Sequence, residues 1–130
     1  MILVDTSIWI FLFRDKTGVE KSRLEEVIQG SEIFLTRFNQ LELLQGSRDE
    51  REWKLLSDYL NSQSYLETST DTWTEAARIY FDLRRSGKTI NSPVDCCIAQ
   101  LAIENNMLLL HRDRDFNTIA NIRPLQQKYL

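Results

Sequence analysis

Short, unbroken apolar runs recur along the chain, separated by longer stretches in which apolar residues return every three or four positions. Unbroken runs of this length predict strands that are buried on both faces of a sheet. They lie at Met1–Asp5, Glu32–Leu35 and Met107–Leu110, and the segment Ser64–Thr68 is also strand-like. The residues from Pro124 to Leu130 suggest one more strand at an edge of the sheet, in a position that the pattern does not fix.

Helical segments separate these runs, and capping residues mark where several of them begin. Thr6 or Ser7 is placed to cap the first helix, and Ser92 followed by Pro93 gives the clearest start signal in the chain. The predicted helices are one from Thr6 or Ser7 to the loop Arg14–Gly18, then Val19–Gln29, Arg37–Gly46 with Thr36 as its cap, Arg48–Leu60, one from Thr70 or Asp71 to Gly87, and Val94–Asn106.

Apolar residues at helical spacing predict which face of each helix packs on the core. In the fourth helix this face carries Trp53, Leu56 and Leu60. In the fifth helix the predicted stripe consists of Trp73, Ala76, Ala77, Tyr80 and Phe81, with Leu83 as a further candidate. Because strands alternate with helices, we expect an α/β fold with a mainly parallel central sheet flanked by helices. No linker or internal repeat interrupts the pattern, so residues 1–130 are expected to form a single domain.

Composition adds limits on location and partners. The longest apolar run, Ile8–Phe13, is far shorter than the roughly 20 residues that cross a bilayer, so we expect a soluble, cytoplasmic protein with no membrane partner. The two cysteines, Cys96 and Cys97, are adjacent and match no zinc spacing, so we expect both to be reduced. A net charge of -3 argues mildly against nucleic-acid binding, but bound divalent cations would reverse the local potential.

Four acidic residues occupy positions where parallel α/β folds place their sites. Asp5 and Asp113 come just after predicted strands, whose carboxyl ends form the functional edge of a parallel sheet. Asp95 lies in the first turn of its predicted helix, and Glu42 lies in the middle of another. All four would converge if these helices pack beside the strand ends.

Carboxylates this close would repel one another by roughly 3 kcal/mol per pair at ~5 Å and an effective dielectric near 20. Mg²⁺ or Mn²⁺ would relieve the repulsion, since these ions prefer oxygen ligands and leave positions open for a phosphate. One or two such ions could support hydrolysis of a phosphodiester. The sequence therefore suggests a metal-dependent nuclease.

Each of these residues also has a purely structural explanation, and spacing alone leaves both open. Asp5 could be only a helix cap, Asp95 could complement its helix dipole, and Glu42 could be a solvated surface charge. Asp113 and Asp115 could be loop residues or caps for the segment that follows them. His111 could serve as a ligand or proton-transfer group, or could make a structural hydrogen bond at the end of its strand.

Four segments, taken together and in order, resemble PIN-domain nucleases, and specifically the VapC-type toxins of VapBC toxin–antitoxin systems. These segments are MILVDTSIWI, QLELLQG, INSPVDCCIAQLAI and LLLHRDRDF. The resemblance implies a PIN-like fold in which Asp5, Glu42, Asp95 and Asp113 are the catalytic, metal-binding acids and Asp115 is an accessory. One departure is His111, where many relatives carry a small hydroxyl residue.

The same resemblance implies a Mg²⁺-dependent endoribonuclease that inhibits translation, for which Mn²⁺ could substitute. It further implies an RNA substrate, a homodimer and a small VapB-like antitoxin that blocks the acidic groove. Two alternatives come from other classes: a non-catalytic binding module of the same fold, and an Asp-based phosphotransfer protein. The second is disfavoured because Ser7 occupies the position where such phosphatases carry another Asp.

Overall fold

The computed structural model describes residues 1–130, and its centre is one sheet of five short strands. The strands are β1 (Ile2–Val4), β2 (Ile33–Thr36), β3 (Ser64–Leu66), β4 (Leu108–His111) and β5 (Gln127–Tyr129). Their order in the sheet is β3-β2-β1-β4-β5, and every neighbouring pair is parallel. Because β1 lies in the middle, its carboxyl end has the ends of β2 and β4 on either side.

Seven helices connect the strands, and the first six have bounds close to those expected. They are α1 (Thr6–Arg14), α2 (Val19–Ile28), α3 (Arg37–Gln45), α4 (Glu50–Asn61), α5 (Thr70–Arg85), α6 (Pro93–Glu104) and α7 (Arg114–Ala120). Thr36 and Ser92 cap α3 and α6 through their side chains, as predicted. The expected cap of α1 was wrong, because Asp5 itself takes that position and accepts from the backbone N–H of Ser7. None of the seven is both long and apolar enough to span a membrane.

The sheet separates two apolar cores. Leu3 and Leu109 belong to the larger core, which includes residues of α5, α6 and α7. Val4 and Leu110, the next residues along the same two strands, belong to the smaller core with residues of α1 to α4. Successive strand residues point to opposite faces, so strands covered on both sides must be apolar throughout. The α/β fold with a parallel sheet flanked by helices is thus confirmed.

The apolar face predicted for α5 is confirmed at Ala76 and Leu83 and wrong at Trp73 and Ala77. The buried residues are Thr72, Ala76, Ile79 and Leu83, whereas Trp73 and Ala77 are exposed. The hydroxyl of Thr72 donates to Glu104 Oε2 at 2.9 Å and accepts from the backbone N–H of Ser69 at 3.0 Å. A polar residue therefore occupies the core side at little cost, because its hydrogen bonds are satisfied there. Trp53 of α4 is likewise 47% exposed and does not belong to the core.

The segment after β4, where no helix was predicted, contains a short helix followed by a strand. It forms α7, whose first turn is capped by Asp113 through a hydrogen bond from the backbone N–H of Asp115 at 2.9 Å. The chain then returns to add β5 alongside β4, with Leu109 opposite Gln127. The suggested edge strand is therefore present, and it lies beside the strand that leads to Asp113.

Candidate metal centre

The carboxyl ends of β1 and β4 are joined by a serine. Ser7 Oγ donates to Asp5 Oδ2 at 2.6 Å and accepts from the backbone N–H of Arg112 at 2.9 Å. The backbone N–H of Ser7 also donates to Asp5 Oδ2, at 3.0 Å. These bonds fix the Asp5 carboxylate beside the turn that leads to Asp113. The sequence pattern indicates Ser7 only as a possible helix cap, so this bridge between the two strand ends was missed.

Three aspartates form the tightest group of carboxylates. Oxygen atoms of Asp95, Asp113 and Asp115 all lie within 4.8 Å of one another. Asp95 and Asp115 lie in the first turns of α6 and α7, respectively. Asp115 Oδ2 also accepts from the backbone N–H of Asn91 at 2.9 Å, which ties the two helix starts together.

Glu42 reaches the same end of the sheet from α3 and is oriented by a chain of hydrogen bonds. Its Oε1 accepts from Thr6 Oγ1 at 3.0 Å, and Thr6 Oγ1 in turn accepts from Asn39 Nδ2 at 2.9 Å. Asn39 Nδ2 also lies 3.4 Å from Asp5 Oδ1. Asn39 is fully buried, and its Oδ1 accepts from the backbone N–H and the hydroxyl of Thr36.

Asn39 was missed in the sequence analysis. The signal that could have found it is its position three residues after the cap Thr36, where a side chain can return to the cap backbone and complete a capping box. The pattern predicts the cap, but not that the other end of the amide contacts Asp5 and Thr6. That contact depends on how α3 packs against α1.

The electrostatics of the cluster favour a bound cation. Burial, followed by the charges of Asp113 and Asp5 and then other neighbouring carboxylates, raises the pKa of Asp95 to about 8. Burial also raises the pKa of Asp5 and of Glu42, against opposing hydrogen bonds from Ser7 and Thr6 respectively. No lysine, arginine or histidine forms an ion pair with any acid of the cluster. An oxygen-rich site with this much uncompensated charge fits Mg²⁺ or Mn²⁺.

The structure brings all five candidate acids to one edge of the sheet, in a slightly different arrangement from the one expected. Asp115, expected to be an accessory, belongs to the tightest group, while Asp5 and Glu42 stand on the side of β1 and α3. Both remain close enough to Asp113 for its charge to raise their pKa. The roles of all five acids as metal ligands stay a prediction.

His111 does not offer a free nitrogen to this cluster. Its Nδ1 accepts from the backbone N–H of Asp113 at 3.1 Å, and its Nε2 lies 2.6 Å from Gln127 Oε1. The ring is fully buried. Of the two explanations left open by the sequence, the geometry favours the structural hydrogen bond over a role as ligand.

Known proteins match the chain over nearly its whole length. The profile of the PIN domain family matches residues 2–122. Ribonuclease VapC11 of Mycobacterium tuberculosis is 33% identical over 129 residues, which are 97% of this chain and 96% of the relative. A VapC ribonuclease of Mycobacterium bovis matches to the same extent, with 33% identity over 97% of this chain and 96% of its own.

Solved structures share the fold. VapBC2 from Rickettsia felis, bound to a DNA fragment from its promoter, has a TM-score of 0.78 at 21% identity and covers 98% of both chains. VapBC-1 from nontypeable Haemophilus influenzae has a TM-score of 0.78 at 18% identity, covering 98% of this chain and 97% of its own. The family profile and the relatives at 33% identity together show that this chain is a PIN-domain protein of the VapC family.

Proposed function

We propose that this protein is the toxin of a type II toxin–antitoxin pair and acts as a Mg²⁺-dependent endoribonuclease that inhibits translation. One observation carries the proposal: five carboxylates converge at one edge of the sheet, and no cationic side chain is paired with any of them. Relatives at 33% identity bear the name ribonuclease, which supports RNA as the substrate. Translation takes place in the cytoplasm, so we place the protein there.

Asp95, Asp113 and Asp115 would hold the Mg²⁺, with Asp5 and Glu42 closing the site from the side of β1, and Mn²⁺ would substitute. When bound, the ion neutralises the carboxylates, attracts the phosphodiester and promotes ionisation of water for attack on phosphorus. The side chains of Thr6, Ser7 and Asn39 donate hydrogen bonds to Asp5 and Glu42, which orient these two carboxylates toward the site and oppose the effect of burial on them.

Cationic side chains bind the phosphates of an RNA backbone, and two arginines flank Asp113 in the chain. The guanidinium of Arg112 stacks 3.7 Å from the centre of the Phe11 ring and donates to the Leu130 carbonyl at 2.7 Å. That of Arg114 lies 5.4 Å from the centre of the Tyr129 ring. Neither forms an ion pair with an aspartate or glutamate side chain, so we propose both guanidinium groups as phosphate contacts.

We infer that a VapB-like antitoxin binds the groove between α1 and α4. This groove has a volume of about 630 Å³, and its apolar lining includes Ile10, Phe13 and Leu55. Glu42 also lines it, so a segment lying in the groove would extend to the acidic cluster. A basic side chain at the end of that segment would complement the carboxylates and block the site. Structures of similar fold are VapBC complexes, which supports a partner of this kind.

We also infer that the protein forms a homodimer through the face shared by α3 and α5. Leu41 is 62% exposed and Trp73 is 53% exposed, and the Trp73 ring packs edge-on against Phe38 with their centres 5.8 Å apart. Large apolar side chains exposed next to one another are typical of a protein interface. The homodimer would bury it against the same patch of a second copy.

Cleavage of total cellular RNA by the purified protein tests the proposed activity. We expect cleavage with Mg²⁺ or Mn²⁺, none with EDTA, and none by the Asp5→Asn variant. The matched control is Glu26→Gln, which also removes one carboxylate but lies exposed on α2, away from the cluster. Absence of cleavage with either metal would favour the non-catalytic binding module.

The phosphotransfer alternative has little support from the geometry. Asp5 is only 5% exposed, and Asp5 Oδ2 already accepts two hydrogen bonds from Ser7. A phosphoryl acceptor must be reachable by its donor. Incubation with acetyl phosphate and detection of the added mass would test it directly, and we expect no modification.

A further inference from the structure

His111 is the only histidine of the chain, and it ends β4 two residues before Asp113. Its ring is 0% exposed and packs against Phe116 and Tyr129, with ring centres 5.0 Å and 5.7 Å apart. A buried imidazole that makes two hydrogen bonds with defined directions can hold its neighbours more tightly than apolar packing alone.

The hydrogen bonds determine which tautomer is present. The atom 3.1 Å from Nδ1 is the backbone nitrogen of Asp113, which can only donate, so Nδ1 carries no hydrogen. In a neutral imidazole the hydrogen then lies on Nε2, which donates to Gln127 Oε1 at 2.6 Å. Gln127 belongs to β5, so the edge strand selects the tautomer that lets Nδ1 accept.

Asp113, whose backbone N–H donates to His111 Nδ1, is one of the three closest carboxylates of the acidic cluster. Asp113 is the N-cap of α7, and its Oδ1 accepts from the backbone N–H of Asp115. The backbone of Asp113 is thus fixed from β4 by His111, and its carboxylate is fixed from α7. A shift of this turn would move Asp113 and Asp115 together, which are two of the three closest carboxylates.

We propose that neutral His111 is a positioning residue: its Nδ1, oriented through Nε2 by Gln127, holds the turn that presents Asp113 and Asp115 to the metal. The inference rests on the metal-dependent function proposed above. Groups that orient metal ligands without touching the metal commonly change its affinity by about 10- to 100-fold when they are altered.

Two substitutions of His111 separate its two nitrogens. In His111→Asn, the side-chain Oδ1 can still accept from the backbone N–H two residues later. In His111→Gln, the longer amide reaches Gln127 but leaves no acceptor near the N–H of Asp113. Binding of Mn²⁺ to the full chain, measured by titration calorimetry, should weaken by less than about 3-fold in the Asn variant and by about 10- to 100-fold in the Gln variant.

Thermal melting without metal provides the structural control, because both variants lose the same ring packing and are expected to lose similar stability. The positioning role is wrong if both variants bind Mn²⁺ like the wild type, or if both weaken equally. If the wild type itself binds no Mn²⁺, the proposed function fails, and the positioning role fails with it. If the wild type binds Mn²⁺ but the two His111 variants bind it with equal affinity, only the positioning role is wrong.

A second pair of variants keeps the inference testable should changes at the buried His111 prevent folding. Gln127→Leu removes the acceptor that selects the tautomer and should weaken Mn²⁺ binding. Gln126→Leu, at the exposed neighbouring residue, is the matched control and should leave binding unchanged. Equal affinities in these two variants would contradict the role of β5.

Discussion

At Asp95, burial and four neighbouring carboxylates act in the same direction, and together they raise the pKa to about 8. An unfolded aspartate ionises near its ordinary pKa of 3.8. At any pH between these two pKa values, Asp95 of the folded, metal-free protein retains a proton that Asp95 of the unfolded chain releases. Stability of the metal-free protein is therefore lost as pH rises through this window, which is the reverse of the usual behaviour of a paired aspartate.

The metal-free protein is therefore expected to melt at a lower temperature at pH 8 than at pH 5.5. Asp95→Asn should raise the melting temperature at pH 8 and reduce the pH dependence, because the variant no longer buries a charge beside the other carboxylates. Thermal denaturation in EDTA across this range measures both effects. A variant whose melting temperature follows pH as steeply as that of the wild type would show that Asp95 is not the responsible group.

Asn39 joins the cap of α3 to the acidic cluster, and all of its described hydrogen bonds are buried. Asn39→Ala removes the acceptor of the backbone N–H and hydroxyl of Thr36, and it removes the donor to Thr6 Oγ1 in the interior. We expect it to lower the free energy of unfolding by about 1–3 kcal/mol. Denaturant unfolding measures the loss, with Asn61→Ala, at an exposed residue, as the control. Equal stabilities would show that water replaces the amide at no cost.

At the scale of elements, the sequence predicted those features that depend on local pattern. The apolar runs gave β1, β2 and β4, and the caps Thr36 and Ser92 gave the starts of α3 and α6. Of the buried face of α5, Ala76 and Leu83 were predicted, but Thr72 was missed because it contacts Glu104 of α6, a contact that no local rule contains. In the same way, α7 escaped detection because its seven residues offer too little periodicity.

In the candidate site too, local position predicts some residues and tertiary contacts decide the others. Carboxylates after strands and at helix starts could be selected from position alone, and they meet at one edge. The supporting residues Asn39, Ser7 and Gln127 could not be selected, because each acts on a residue that is brought near only by packing or strand pairing. Sequence position therefore indicates which acids to consider, whereas tertiary structure decides what orients them.

A single substitution tests whether the antitoxin binds the groove between α1 and α4. Leu55→Glu places a charge on its apolar lining, at a position that is 62% exposed in the isolated chain. Folding and RNA cleavage should be retained, while affinity for the cognate antitoxin should fall by at least about 10-fold through desolvation of the new charge. Calorimetry with the purified antitoxin measures the change. Lys54→Glu, on the same helix but outside the groove lining, should bind normally.

The whole molecule presents two exposed apolar surfaces, and the proposed partners would cover both. Because Trp73 lies on the proposed homodimer face, we expect Trp73→Glu to yield a monomer, whereas Trp53→Glu should remain a dimer. The two residues are similar in exposure, at 53% and 47%, so the pair controls for the loss of a surface tryptophan. Light scattering after size exclusion gives the mass of each. Dimers in both variants would require another interface.

The order of the strands also has a consequence for how the protein folds. β1 must pair with β4, and the bond that joins their ends links Ser7 to Arg112, 105 positions along the chain. Closing so long a loop is entropically costly and tends to slow folding. Any partly folded chain in which this pairing has not formed keeps Asp5 apart from Asp113. On the proposed function, nuclease activity would therefore appear only after β1 and β4 have paired, and a chain that is still folding would be inactive.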